Sequence, residues 1–174
     1  MDKVFVEALS LTLGFEGGVS DDKDDLGGLT NMGVTQDTYN EYRKRIGKPT
    51  QTVTKITKAE VSDLYHKLFW LPSGCDTMPE AIAKLVFDTA VNCGTYRGAV
   101  ILQNILGGRH DGIWDDRDLN NLKYYLSKHS ESKLVSTYLD SRANFHKHRA
   151  QYKNQGKFLE GWLNRVEALR EALV

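Results

Sequence analysis

Apolar residues recur at helical spacing along almost the whole chain, and one stretch near the N-terminus breaks the pattern. Val4, Phe5, Ala8, Leu9, Leu13 and Phe15 fall three or four residues apart, the stripe of an amphipathic helix over residues 2–15. Residues 17–34 then hold Gly17, Gly18, Gly27, Gly28 and Gly33, with Asp21, Asp22, Asp24 and Asp25 between them. Glycine frees the backbone for tight turns and aspartate competes for backbone hydrogen bonds, so neither a helix nor a long strand propagates through such a segment. The chain is therefore constrained to a mainly α fold. Sheet has room in residues 17–34, as at most a small hairpin, and in the loop 49–56.

Helix signals return after the break. Thr35 caps a helix through about residue 46. Thr57-Lys58-Ala59-Glu60 is a capping box, which predicts a helix to about Phe69. Pro79 stands at a helix start, and Ile82, Leu85, Val86 and Thr89 carry the stripe to about Asn92. A very apolar helix follows over 97–106, closed by Gly107-Gly108, with a turn at 109–115. Further helices are expected at 116–127, 131–151 and 158–173. The last sets Leu159, Trp162, Leu163, Val166, Leu169 and Leu173 on one face. There is no repeat, and 174 residues with this patterning read as a single unit spanning 1–174.

The chain balances 23 Lys and Arg against 23 Asp and Glu. That balance removes the usual argument for a nucleic-acid partner. The zero is a cancellation, however. Residues 1–90 hold ten basic and fourteen acidic side chains, and residues 91–174 hold thirteen and nine. The basic run of His146, Lys147, His148, Arg149 and Lys153 reads as a solvated face able to meet an anionic envelope. Cys75 and Cys93 are too few for a disulfide framework, and no metal-ligand spacing surrounds them. The N-terminus lacks the cationic and apolar regions of a signal peptide, and no segment reaches the ~18 apolar residues of a membrane span. The expected location is therefore the cytoplasm.

Glu16 stands out chemically. It follows an apolar helix, where the negative end of the helix dipole disfavours ionisation, and Leu13 and Phe15 add desolvation. Both effects raise its pKa toward what a general acid needs near neutral pH. Asp25 lies nine residues on and Thr30 five further. A raised acid, a second carboxylate across a glycine loop and a hydroxyl able to hold water make the equipment of glycoside hydrolysis. The same loop fails as a calcium site. An EF-hand frame starting at Asp21 places Lys23 at position 3 and Leu26 at position 6, and one starting at Asp22 places Leu26 at position 5.

The run from Glu16-Gly17-Gly18 through Asp25, Gly27-Gly28, Thr30 and Gly33-Val34-Thr35 resembles the signature of glycoside hydrolase family 108. Phe87-Asp88-Thr89-Ala90-Val91-Asn92-Cys93-Gly94 resembles a second segment of that family. Ile101-Leu102-Gln103, Leu106-Gly107 and Asp111-Gly112 resemble its companion peptidoglycan-binding region. The resemblance implies a lysozyme-like fold, with a catalytic sub-region over 5–92 and a peptidoglycan-binding-like helical half over 93–174. It also implies a peptidoglycan N-acetylmuramidase of the phage or prophage endolysin type, with Glu16 as acid and Asp25 and Thr30 as partners. Such an enzyme needs no cofactor or metal, acts as a monomer, and waits in the host cytoplasm until a holin-type pore releases it to the wall. Val19 stands where the family has an aromatic, and Asp21-Asp22-Lys23 where it has Asn-Asp-Pro. Asp111-Gly112-Ile113-Trp114-Asp115-Asp116 lacks the companion region's Gly-Pro turn.

Candidate substrate contacts are Trp70 and Tyr39, which can stack on sugar faces as Tyr65 can, and the i, i+4 pair Asp88 and Asn92, which can bond hydroxyl and N-acetyl groups. The competing readings are a lytic transglycosylase using Glu16 alone, a non-catalytic peptidoglycan-binding protein and an accessory secretion factor.

Overall fold

A computed structural model describes residues 2–15, 30–152 and 154–174. It is mainly α, as the periodicity predicts: eight α-helices and one two-stranded sheet among the described residues. The chain divides into two compact units, Met1–Pro72 and Ser73–Val174.

In the first unit, α1 (Lys3–Gly14) starts where the Asp2 carboxylate accepts the Val4 N–H. Strands β1 (Thr30–Asn31) and β2 (Val34–Thr35) pair antiparallel, Thr30 opposite Thr35. The two residues between them, Met32 and Gly33, both have positive φ (51° and 74°). Such a two-residue turn matches the natural twist of paired strands. Thr35 also caps α2 (Gln36–Arg45), its side chain accepting the Thr38 N–H. Both halves of the expected capping box form at α3 (Lys58–Tyr65): Glu60 N–H donates to Thr57 Oγ1, and Thr57 N–H to Glu60 Oε2. The α-helix stops at Tyr65, and a π turn over His66–Trp70 takes the rest of the span expected to be helical. Phe5, Ala8, Val34, Val53, Leu64 and Trp70 are among the side chains that fill this unit's core.

The second unit is built of α4 (Glu80–Cys93), α5 (Thr95–Leu106), α6 (Asp116–Leu126), α7 (Glu131–Arg149) and α8 (Leu159–Leu173). Helices α4 and α5 pack closely because Gly98 carries no side chain; a Cβ there would lie 3.2 Å from the Val86 carbonyl oxygen. Apolar faces from all five helices, including Leu85, Leu102, Leu122, Leu139 and Val166, meet in the interior. Tyr138 on α7 donates a buried hydrogen bond of 3.0 Å to the Gly98 carbonyl on α5. Cys75 is a buried free thiol and Cys93 a half-buried one. No helix of the described residues is long and apolar enough to cross a membrane.

Candidate active site

Glu16 and Asp25 lie outside the described residues. Thr30, the third member of the predicted trio, is half-buried on β1, and what holds that strand is clear. Asn31 Nδ2 donates to the Val53 carbonyl at 3.2 Å. Tyr65 Oη donates to the Gly33 carbonyl at 2.9 Å. The hairpin is thus tied on one side to the turn over 53–55 and on the other to α3.

Tyr65 and Tyr39 do not offer faces to a ligand. Tyr65 is 2 % exposed and Tyr39 is fully buried. Tyr39 Oη donates to Glu60 Oε2 at 3.1 Å and accepts from Arg43 Nη1 and Gln51 Nε2, both at 3.3 Å. Burial, reinforced by Glu60, raises the Tyr39 phenol above its ordinary pKa. Burial also acts on Glu60, but the Thr57 N–H, the Tyr39 hydroxyl and the Arg43 charge outweigh it and hold that carboxyl below its usual range. This network braces α2 against α3. Trp70, expected on a sugar face, is likewise a core residue: it is 1 % exposed and meets Phe5 edge-on with centroids 5.3 Å apart. The π turn carries Trp70 inward, a rotation that helical spacing does not anticipate.

Asp88 is the largest departure from expectation. Its carboxylate is wholly buried on α4 and clamped by two guanidiniums. Arg142 Nη1 on α7 donates to Oδ1 at 2.6 Å, and Arg165 on α8 donates through Nη2 to Oδ2 at 2.7 Å and through Nε to Oδ1 at 3.1 Å. Burial alone pushes a carboxyl pKa up; here the Arg142 and Arg165 charges prevail and hold Asp88 below the usual range. With its oxygens so committed, Asp88 is a framework residue rather than a substrate contact.

Asn92, one turn on, is half-buried. Its Oδ1 accepts from Arg142 Nη2 at 3.4 Å and from the Cys93 thiol at 3.2 Å. Those bonds orient the amide by its oxygen and leave the NH₂ donors for other partners. The basic run on α7 is split. Lys147, His148 and Arg149 are exposed, whereas His146 is fully buried and stacks on Trp162 at 5.0 Å. Burial and the nearby Arg142, Arg149 and Arg165 push His146 down to about 4. Arg142 and Arg165 carry no local sequence signal as site residues. Each looks like one more surface cation of its helix until Asp88 is placed beside it.

The mainly helical geometry, with one short hairpin in the first unit, agrees with the comparisons. Residues 9–94 match the family profile described as Glycosyl hydrolase 108, and residues 97–167 match one described as Predicted Peptidoglycan domain. The chain belongs to the glycosyl hydrolase 108 family, and it is a glycoside hydrolase that acts on peptidoglycan. Among solved structures, SagA of Brucella abortus is similar over nearly its whole length. The TM-score is 0.82 at 25 % identity, covering 97 % of this chain and 92 % of that one. No curated protein matches the chain significantly. The two profiles meet between α4 and α5, inside the second compact unit, so the Asp88 cluster joins residues of one profile to residues of the other.

Proposed function

We propose that the protein is a muramidase hydrolysing the β-1,4 bond between N-acetylmuramic acid and N-acetylglucosamine. The observation that carries this reading is the family match over 9–94, which contains Glu16, Asp25 and Thr30 in the order and spacing of a glycosidase acid, second carboxylate and hydroxyl. Glu16 protonates the bridging oxygen as the glycosidic bond breaks. Asp25 stabilises the positive charge that develops on the sugar ring, or takes the proton of the attacking water, and Thr30 holds that water. The bracing of β1 by Asn31 and Tyr65 supports the last role, because a hydroxyl that positions water must itself be positioned. Asn92, its oxygen already occupied, offers N–H donors to an N-acetyl carbonyl.

Glu16→Gln tests the assignment. It keeps the side chain's size and removes the acid, so clearing of permeabilised cells should fall by at least 10²-fold with the thermal midpoint unchanged. Unchanged clearing would overturn the role of Glu16. Reducing-end analysis of the digest should show hydrolytic products; 1,6-anhydro ends alone would make the enzyme a lytic transglycosylase. Release through a holin-type pore and action as a cytoplasmic endolysin complete the proposal. They predict that expression of the chain alone does not lyse a bacterium.

A further inference from the structure

The loop after α5 and the first turns of α6 line an open cleft of about 420 Å³, within the size range of small-ligand clefts. Its organiser is Gln103, fully buried on α5. Gln103 Nε2 shares its two hydrogens among Asp111 Oδ1 at 3.0 Å, the Ile113 carbonyl at 3.1 Å and Asp118 Oδ2 at 3.2 Å, while its Oε1 accepts the Gly112 N–H at 3.0 Å. One amide thus fixes both the loop and the carboxylate at the start of α6.

The charged groups lining the cleft are Arg109, Arg117 and Asp118, and both arginines are paired with carboxylates outside the lining. Arg109 pairs with Asp111 at 2.9 Å and with Asp115 at 2.5 Å, and Arg117 shares the same Asp115 oxygen at 3.3 Å. Two cations and two anions are thereby matched. Asp118, 1 % exposed and lining the cavity, is a third carboxylate with no cation at ion-pair distance among the described residues. Its Oδ2 accepts from Gln103 and from the Asp115 N–H, both at 3.2 Å. Its Oδ1 lies toward Gly108, 3.4 Å from where a Cβ on that residue would stand. Asp118 is thereby the N3 member of the capping box that starts α6, steadied by the positive end of that helix rather than by a side-chain cation, and on its open side it can answer the charge of a ligand cation.

The rest of the lining narrows the ligand. No aromatic ring lines the cavity, so it offers no flat apolar face to a pyranose. Asn120 and Asn121 supply amides able to bond a peptide backbone. Arg117 is 69 % exposed, and its contacts of 3.3 and 3.4 Å are longer than a tight charge-assisted bond, so it can turn to a carboxylate beside the cation.

We propose that this cavity receives the free ω-ammonium group of a diamino acid in the peptide stem of peptidoglycan, seated on Asp118, with an adjacent carboxylate on Arg117. This assignment rests on the reading that the chain acts on peptidoglycan and names the part of it that the second unit grips. The ligand is the stem rather than the glycan. Stems with a carboxylate beside the ω-amine bind more tightly than lysine-type stems, which lack it.

The test titrates ¹⁵N-labelled full-length protein with three probes: a stem tripeptide with a free ω-amine, the same peptide N-acetylated on that amine, and chitotetraose. The free peptide should shift the amides of residues 107–109 and of Asn120 and Asn121. Acetylation should weaken binding at least tenfold. Gly108→Val, whose Cβ alone would stand 3.1 Å from Asn121 Nδ2 and 3.4 Å from Asp118 Oδ1, should abolish those shifts while the dispersed amide spectrum of the folded protein is kept. Asp118→Asn should weaken binding as acetylation does. Equal affinity for the acetylated peptide, persistence of binding in Gly108→Val, or chitotetraose shifting these residues in place of the peptide would each overturn the proposal. Digestion of peptidoglycan by the same preparation separates the two readings. Digestion without peptide shifts sinks the stem site alone, whereas peptide shifts without digestion leave the site standing and sink the hydrolase.

Discussion

Asp88 and Asp118 are both hidden in the second unit, yet the protein answers their charges in opposite ways. Asp88 sits between three helices and meets two guanidiniums. Asp118 sits at the end of one helix, is steadied by neutral donors, and borders open space. A buried carboxylate with its counter-charges in place is architecture, because removing it strands those cations. A buried carboxylate held by neutral donors alone, as Asp118 is in the capping box of α6, costs the fold less to lose and keeps its charge to offer a cation that enters.

The sharpest way to break this comparison is Asp88→Ala. It leaves Arg142 and Arg165 buried without their anion, and breaking such a pair costs about 3–5 kcal/mol. Calorimetry should show a large fall in thermal midpoint or no cooperative transition at all. A triple replacement, Asp88→Leu with Arg142→Met and Arg165→Leu, should recover most of the loss, since no unpaired charge then remains. Recovery no better than Asp88→Ala would show that the cluster does more than cancel charge.

The next effect depends on pH. His146 is neutral in the fold, facing Arg142, Arg149, Arg165, Asp88, Cys93 and Trp162. Its pKa falls from an unfolded value of about 6.5 to about 4. The unfolded chain therefore binds the proton first on acidification. The stabilisation is complete above pH 6.5 and is lost progressively down to about pH 4. Asp88, also held low, adds a loss below the ordinary carboxylate range. Unfolding by urea across pH 4–7.5 should show that slope in the native protein and a flatter one in His146→Phe; equal slopes would place the titrating group elsewhere. The smallest effect is expected for Asp118→Asn. It strands no cation, so urea unfolding should report a loss of about 1 kcal/mol from weakened bonds at the start of α6. A loss as large as that of Asp88→Ala would erase the distinction between the two carboxylates.

Local signals in the sequence carried much of the fold. The Thr57 capping box, the helix start after Pro79 and the stripe of α8 are short-range patterns, and each forms where expected. The π turn at His66–Trp70 was not visible, because packing of Trp70 against Phe5 overrides the helical period. The polar pair Asp88 and Asn92 stood out on one helix face, but its meaning did not. The partners of Asp88 come from 54 and 77 residues away, and no local pattern encodes contacts of that range. Tyr39 misled for a related reason, since a tyrosine built to hold Arg43 and Glu60 looks in sequence like one built to hold a sugar. Glu16 and Asp25 were legible through residue type and spacing, which is how a general acid and a second carboxylate announce themselves in sequence.

The Asp88 clamp also says where such a chain can be cut. Two family profiles invite division between residues 94 and 97, to harvest a catalytic piece and a wall-binding piece for grafting. Shears applied there would part α4 from α7 and α8, leaving a carboxylate in one fragment and its two guanidiniums in the other. A cut at Pro72–Ser73 severs none of those bonds. For protein engineering, the exchangeable cassette is the five-helix unit that starts at Ser73, and α4 travels with it.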